Sequence, residues 1–236
     1  MHGKALLSIL VICATSSNAL AGDSGYFGGV DLSTGSTRGS SSTKDGGAPF
    51  AGGGVVSNLH MGQATGIGAH VGYRFDSPVS IFLSYQHIQG NISWDANFPA
   101  VGAASSYAGQ AISQTILANI AYAFPLSVAT AIRTTLGIGA SINTLSGVRE
   151  TVLNTGQFLS DVANHDEISP AAKVALGIRQ KLTRNIEIGL DAGLTYSGGF
   201  RTGDTRSGNL GVTEIKPYKI DSVWRTDVAA SLRYRF

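Results

Sequence analysis

The feature that most constrains this chain is an alternation of apolar and polar residues with a period of two. From Trp224 to Phe236 the even positions are mostly apolar or aromatic, and the odd positions are mostly polar or charged. Successive side chains of a β-strand point to opposite faces, so this period is typical of a strand with two different faces. The pattern recurs near residues 24–33, 67–75, 79–89, 112–124, 132–142, 172–182 and 185–196. The sequence therefore predicts eight strands.

The connections between these strands alternate between short and long. The short ones are residues 76–78, 125–127 and 183–185, and the long ones are roughly 34–62, 94–109, 146–168 and 202–218. All six prolines fall in a connection or at the start of a strand, as their missing N–H group requires. We therefore expect the chain to run up and down, with short turns at one end and long loops at the other.

Composition narrows the class of protein. Charged residues make up 14% of the chain, compared with about 25% in ordinary soluble domains. No apolar stretch approaches the roughly 20 residues that a membrane-spanning helix needs. A net charge of +2 is too small to indicate a surface that binds nucleic acid. The hydrophobic content of 43% argues against disorder, because it is sufficient to form a core.

The N-terminus has the three parts of a cleaved secretory signal. A basic start, Met1 to Lys4, precedes an apolar stretch at residues 5–14, and the small residues of Ala19 to Ala21 precede Gly22. We expect cleavage between Ala21 and Gly22, which gives a signal peptide at residues 1–21 and a β-barrel domain at 22–236. The single cysteine, Cys13, lies in this signal, so the exported protein must be stabilised by something other than disulfides.

Alternation alone does not say which face of the strands is in water. A soluble barrel turns its apolar face inward, whereas a membrane barrel turns that face outward to lipid. Here the polar face is mostly Gly, Ala, Ser and Thr, which suits a narrow interior better than a surface in water. The strand from Trp224 to Tyr234 spans about 33 Å, or about 25 Å of height when tilted, which matches the apolar band of a membrane barrel.

Aromatic residues at the strand ends favour the membrane alternative, because Tyr and Trp are enriched at both membrane–water interfaces. Near the short turns lie Tyr26, Tyr73, Phe75, Tyr122, Phe124, Tyr234 and Phe236, and toward the long loops lie Tyr85, Tyr196 and Trp224. The sequence therefore predicts an all-β protein, an eight-stranded antiparallel up-and-down transmembrane β-barrel with two aromatic belts.

The polar face of such a barrel carries both signs of charge. One interpretation is an ion-conducting lining, and the other is an internal salt-bridge network that takes the place of a hydrophobic core. We expect the network, because side chains can fill the interior of eight strands and opposite charges can pair there. The residues predicted to line the lumen are Asp31, His70, Arg74, Arg133, Lys173, Arg179, Glu187, Asp191, Arg225, Asp227 and Arg233.

Four short motifs resemble those of one bacterial superfamily. Gly25 to Gly29 (GYFGG) and Gly72 to Asp76 (GYRFD) are similar to the first strand and the second-strand ending of opacity-type and OmpA-like small outer-membrane barrels. Leu182 to Ile186 (LTRNI) resembles their sixth-to-seventh strand turn, and Leu232 to Phe236 (LRYRF) resembles the terminal assembly signal of outer-membrane proteins. The resemblance covers essentially the whole mature chain.

The resemblance implies a non-enzymatic outer-membrane surface protein whose barrel is an anchor and whose extracellular loops serve surface interaction or envelope structure. The sequence does not identify an extracellular ligand. It implies contact with outer-membrane lipid and lipopolysaccharide. During export it implies periplasmic chaperones and a barrel-assembly machinery that reads Leu232, Tyr234 and Phe236. No cofactor, metal or nucleic-acid partner is expected. A narrow porin and an outer-membrane lipid hydrolase are the alternatives.

Two histidine positions are candidates for catalysis. His87 lies on the apolar face at the long-loop end of its strand, where a lipid-A deacylase would place a histidine with a serine two residues later. This chain has Gln89 there, so the nucleophile is missing. The run His165 to Glu167 in a long loop could belong to a metal site or protease, but it is more typical of a solvated acidic loop.

Overall fold

The structure is a computed structural model, and it describes residues 24–43, 54–99, 102–209 and 211–236. The predicted signal peptide, with Ala21 and Gly22, lies outside the described residues. The strands are β1 (Gly25–Ser40), β2 (Val55–Arg74), β3 (Val79–Phe98), β4 (Ala103–Pro125), β5 (Thr130–Val152), β6 (Phe158–Val162), β7 (His165–Lys181), β8 (Ile186–Arg201), β9 (Thr205–Gly208), β10 (Gly211–Glu214) and β11 (Lys219–Arg235).

Eight of these strands pair in a closed ring. Each of β1 to β5 pairs with its neighbour, then β5 pairs with β7, β7 with β8, β8 with β11, and β11 with β1. Every pairing is antiparallel, and the last one closes the ring from Phe27↔Arg235 to Ser40↔Asp221. The predicted eight-stranded up-and-down barrel is confirmed.

The three remaining strands extend the sheet at the long-loop end. β6 pairs with the end of β5, β9 pairs with β6, and β10 pairs with β9. At the other end the chain turns within a few residues, and the turns are fixed by backbone hydrogen bonds such as Leu126 N to Thr130 O and Leu182 N to Ile186 O, both 2.9 Å. We call β6, β9 and β10 the sheet extension.

Several strands are longer than the sequence predicted. Residues 94–109 were expected to be a long loop, but β3 runs to Phe98 and β4 begins at Ala103. The register shifts between Ser57 and His60 and between Ile220 and Val223 mark bulges. Asn58 and Ser222 have positive φ there. A bulge inserts a residue and reverses which positions face inward, so strict alternation ends in β2 and β11 although these two strands continue. In β3 the alternation continues, but its apolar residues move to the inner face.

The outer face beside the short turns is apolar and exposed, as predicted. Leu32, Ile138 and Leu190 expose 65%, 72% and 58% of their surface. Ring pairs form both belts: Tyr26 lies 5.1 Å from Tyr73, and on the long-loop side Tyr196 lies 5.0 Å from Trp224, between ring centroids. This outer surface fits hydrocarbon, with amphipathic rings at its two edges.

Within the described residues, no helix is long and apolar enough to cross a membrane.

Candidate functional site

The interior near the short turns contains a network of charged side chains. Glycines on the neighbouring strands make room for it: a Cβ on Gly189 would meet the Arg179 guanidinium, and one on Gly177 would meet the Asp191 carboxylate. Small residues at these positions therefore let long charged side chains lie across a narrow lumen. The high glycine content, 31 residues in all, has part of its explanation here.

One part of this network connects β7, β8 and β11. Arg179 pairs with Asp191 through Nη2 and lies with its Nε 3.8 Å from Glu187 Oε1. Arg233 Nη1 reaches the same Glu187 oxygen at 3.4 Å, and its guanidinium lies 4.1 Å from the centre of the Phe27 ring. These side chains are largely buried, so each charge depends on its partners in the network.

A second part lies on β1, β2, β7 and β11. His70 Nδ1 is 2.9 Å from Asp31 Oδ2. Arg225 Nε is 3.5 Å from Asp227 Oδ1, and Lys173 Nζ is 4.0 Å from the other oxygen of that carboxylate. These ion pairs join residues of one strand, or of strands that are neighbours or next-nearest neighbours in the ring.

The structure brings ten of the eleven residues predicted to line the lumen into this interior, namely Asp31, His70, Arg133, Lys173, Arg179, Glu187, Asp191, Arg225, Asp227 and Arg233. Arg133 is buried without an ion pair among the described residues, and its guanidinium lies 4.6 Å from the Phe82 ring centre. Arg74 lies at the short-turn end of β2, and no ion pair joins it to another described residue.

The interior cavity among these side chains measures about 40 Å³, which is room for a few water molecules at most.

A layer of uncharged polar side chains lies above the charges. Asn143 Nδ2 donates to the carbonyls of Ser197 at 2.6 Å and Gly199 at 2.8 Å, and Ser113 donates to Asn143 Oδ1 at 2.7 Å. Ser141 donates to the Ser197 carbonyl at 2.7 Å. Hydrogen bonds therefore join β4, β5 and β8 across the lumen.

The interior toward the long loops is apolar, which the sequence interpretation missed. Trp94 stacks on Tyr107 with ring centroids 5.2 Å apart and planes at 3°, and Tyr218 lies 4.8 Å from Tyr107. The buried cluster consists of Met61, Ile92, Trp94, Ala96, Tyr107, Leu145, Val148, Val162, Phe200, Tyr218, Ile220 and Val223. The sequence did hold a signal, since period two continues through Ile92 and Trp94 with the apolar residues now on the inner face.

A buried polar centre lies beside this cluster. Glu150, 1% exposed, accepts hydrogen bonds from the Tyr107 hydroxyl at 2.8 Å, the Ser160 hydroxyl at 2.5 Å and Arg206 Nη1 at 2.8 Å. Tyr218 donates to the Tyr107 hydroxyl at 2.9 Å. The sheet extension supplies Ser160 and Arg206, so this centre fixes the extension to the barrel.

The structure shows the surroundings of the two candidate catalytic histidines, His87 and His165. Gln89, two residues after His87, donates to Gln110 Oε1 at 2.8 Å on the outer face. His165 Nε2 lies 3.5 Å from Glu167 Oε2 at an exposed position, and Asp166 accepts from Thr144. Among the described residues, no group of three or more His, Cys, Asp or Glu side chains could hold a metal ion.

The terminal residues Leu232, Tyr234 and Phe236 share the outer face of β11, each about half exposed. The backbone of Phe236 donates to Tyr26 O at 3.0 Å, so pairing with β1 continues to the end of the described chain. Tyr234 and Phe236 pack ring to ring at 5.3 Å.

The profile of the family described as outer membrane protein beta-barrel domain matches residues 5–236. The chain belongs to this family. It is therefore an integral protein of the bacterial outer membrane, with short turns in the periplasm and long connections outside the cell. The opacity-type and OmpA-like resemblance is consistent with this result. The family is mostly non-enzymatic.

The chain is similar to several solved structures of bacterial surface and outer-membrane proteins. Neisserial surface protein A (NspA) is 15% identical, with 89% of this chain and 97% of that chain covered and a TM-score of 0.44. OprG from Pseudomonas aeruginosa is 14% identical over 88% and 95%, with a TM-score of 0.47. The outer membrane protease OmpT from Escherichia coli is 8% identical over 90% and 94%, also at 0.47. No curated protein sequence matches the chain.

Proposed function

We propose that this protein is a closed, non-enzymatic anchor that holds its extracellular loops and the sheet extension above the outer leaflet for contacts at the cell surface. The observation that carries the proposal is the filled lumen. Ion pairs occupy the periplasmic half, hydrogen-bonded amides and hydroxyls the middle, and packed aromatic rings the extracellular half. Rigid scaffolds that present loops are where binding usually resides.

The small interior cavities support an anchor in preference to a porin. The cavity among the charges measures about 40 Å³, and the one at the level of Ile88 and Ser113 about 30 Å³. An open pore needs a continuous path of water, whereas an eight-stranded barrel can be filled by its own side chains.

Planar-bilayer recording tests the closed lumen. Purified protein should give no steady, reproducible channels. Reproducible unitary currents whose ion selectivity changes in Lys173→Gln, a lumen variant, but not in Arg184→Gln, in a periplasmic turn, would establish a narrow porin instead.

The non-enzymatic part of the proposal rests on the surroundings of His87. The position that a hydrolase would need for its nucleophile is Gln89, and its amide is already hydrogen-bonded to Gln110. Mass spectrometry of lipid A from overexpressing cells should show no change. Loss of an acyl chain that depends on His87 would contradict the proposal.

Lipopolysaccharide is the lipid partner we propose, and three outward-facing cations support it. Arg38 is the register partner of Trp224 in the extracellular aromatic belt. Lys219 and Arg201 lie directly opposite each other in the β11–β8 pair, farther from the membrane. Like charges at this spacing repel, and the phosphates of lipid A would relieve that repulsion.

The matched test replaces Arg38, Arg201 and Lys219 together with glutamine and compares the result with Lys181→Gln/Arg184→Gln at the periplasmic end. Lipopolysaccharide should raise the melting temperature of the wild type and the periplasmic variant, and raise that of the triple variant much less. Equal stabilisation of all three proteins would remove this patch as the lipid contact.

The barrel-assembly machinery is the partner that we propose for Leu232, Tyr234 and Phe236. Deleting Phe236 should sharply lower the amount of protein in the outer membrane of cells. Refolding of the purified protein into detergent should hardly change, because a belt aromatic contributes only about 1–2 kcal/mol. Equal defects in both settings would leave Phe236 as a belt residue only.

A further inference from the structure

The extracellular end of the barrel holds a cavity of about 190 Å³ between β4, β5 and the sheet extension. Aromatic and aliphatic side chains form much of its wall, including Phe98, Tyr107, Tyr218, Leu159 and Ile215. This volume exceeds the roughly 150 Å³ of an engineered apolar cavity that binds benzene. The cavity therefore has room for one small ring-containing molecule.

The floor of the cavity is closed. Tyr107, which lines it, stacks on Trp94, and both rings belong to the buried apolar cluster. Below them lie the amide and hydroxyl layer and then the charge network. A molecule that enters from outside the cell therefore reaches a blind pocket, and the geometry favours retention there over passage into the periplasm.

The polar groups of the pocket satisfy one another. Arg206 gives Nη1 to Glu150 at 2.8 Å and Nε to Thr213 at 3.1 Å, so the positive charge is matched by a buried carboxylate. The hydroxyls of Tyr107, Tyr218 and Ser160 all donate within the same group. With its charges paired in this way, the pocket offers no net charge to attract an ion, and a charged ligand would lose hydration without a counter-charge.

The protonation of the phenols is stable as well. Burial raises the pKa of both Tyr107 and Tyr218 above the ordinary value for tyrosine, and the neighbouring Glu150 carboxylate adds to the rise. Both hydroxyls therefore stay neutral across physiological pH.

From the volume, the aromatic wall and the paired charges, we propose that this pocket binds a small, neutral, single-ring aromatic molecule from outside the cell. Aromatic rings pack edge-to-face or offset against Phe and Tyr with a gain beyond simple area burial, which favours an aromatic ring over a saturated one. The inference goes beyond the anchor function, because a blind pocket binds whether or not the loops also contact another partner.

Equilibrium dialysis of the protein in lipid nanodiscs tests the ligand class with four probes of similar size. These are p-cresol, which is neutral and aromatic, 4-methylcyclohexanol, which is neutral and saturated, the p-toluate anion, and the 4-methylbenzylammonium cation. Empty nanodiscs correct for partition into lipid. p-Cresol should bind at least about tenfold more tightly than either ion, and 4-methylcyclohexanol should bind more weakly than p-cresol.

Two neighbouring variants locate the binding. Ser105 is buried and lines the cavity, while Ser106 is on the opposite face of β4. Ser105→Phe should lower the affinity for p-cresol by about tenfold or more, and Ser106→Phe should leave it unchanged. If p-cresol binds both variants and the wild type equally, the pocket is not the site and the proposal fails.

A third variant should gain affinity for one of the probes, which a misfolded protein would not do. Glu150→Gln removes the charge that balances Arg206, so the pocket should become cationic. Affinity for p-toluate should rise about tenfold or more relative to p-cresol, since an unscreened charge pair near a surface is worth several kcal/mol. Folded protein whose preference does not move toward the anion would overturn the charge argument. Failure of all four probes would refute the pocket while leaving the bilayer-conductance result for the anchor intact.

Discussion

Along β3 the two faces of one strand exchange their character. Near the periplasm, Ile81 and Leu83 point outward and are about half exposed, while the inward positions include small polar residues such as Ser84. Beyond Ile88 the outward positions are polar, and the inward residues Ile92 and Trp94 are each 2% exposed. The first half of β3 thus has the side-chain pattern of a membrane barrel, and the second half has that of a soluble barrel.

The difference follows from the medium outside. Lipid surrounds the periplasmic half, so the outward face must be apolar and the lumen holds the polar side chains. Water surrounds the extracellular half, where burial of apolar surface inside the barrel contributes about 25 cal/mol per Å². The extracellular half is therefore stabilised by a conventional core, and the periplasmic half depends on charges that must remain paired.

The largest expected effect is the loss of one buried partner in the periplasmic half. Arg179→Leu leaves Asp191 without its cation, and removing one member of a buried ion pair typically costs about 3–5 kcal/mol. Urea unfolding in detergent, followed by the mobility shift between folded and unfolded protein on unboiled gels, would report the change.

The double variant Arg179→Leu/Asp191→Leu is the control. It should recover much of the lost stability, because apolar side chains often replace a buried pair without cost. A double variant as unstable as the single one would mean that the charges themselves, and not merely their pairing, hold this half together.

The outer face of the same half gives the next largest effect. Leu190→Arg places a charge among lipid chains, which costs about 2–4 kcal/mol near the middle of the bilayer. Leu190→Ala at the same position should be much milder. If the arginine variant folds as well as the wild type and the alanine variant does not, the inner and outer faces are assigned the wrong way round.

The periplasmic half could be predicted from the sequence because its strands alternate without interruption. Arg133 and Arg179, for example, were assigned to the lumen by parity alone, and both are buried there. The extracellular half could not be predicted in the same way. Bulges at Asn58 and Ser222 change which positions face inward. Trp94 lies on the inner face in regular alternation, but an apolar inner face is expected only where the strand has left the membrane.

The cavity and the Glu150 centre were also beyond sequence reasoning. Glu150 contacts Arg206, which is 56 positions away in the sequence. The contact depends on the sheet extension, which lies within residues that the sequence predicted only as long loops. Local patterns carry no information about which loop strand pairs with which barrel strand.

A smaller effect tests the polar centre of the extracellular half. Tyr107→Phe removes the hydroxyl that donates to Glu150 and accepts from Tyr218, leaving buried groups short of a partner at a cost of about 1–3 kcal/mol. Tyr85→Phe is the matched control, because its hydroxyl bonds to Gln114 on the outer face at 3.1 Å, and it should cost less. Equal losses in urea unfolding would mean that the Glu150 centre adds no stability.

The smallest effect lies at the boundary between the halves. Thr195 is 1% exposed, and its hydroxyl has no hydrogen-bond partner among the described residues. Its register neighbours are Lys173 and Arg225, two members of the charge network. Valine has nearly the same shape, so Thr195→Val should leave the free energy of unfolding unchanged or raise it by up to about 1 kcal/mol.

Ser141→Ala is the comparison for Thr195→Val. Its hydroxyl is equally buried but donates to the Ser197 carbonyl at 2.7 Å, so its removal should destabilise the barrel by about 1 kcal/mol. If Thr195→Val raises the free energy of unfolding and Ser141→Ala lowers it, an apolar side chain is already favoured inside the barrel at Thr195, as it is in the extracellular half. A loss of about 1 kcal/mol or more in Thr195→Val would instead show that the hydroxyl is hydrogen-bonded through lumen water, and would extend the polar half of the lumen up to this level.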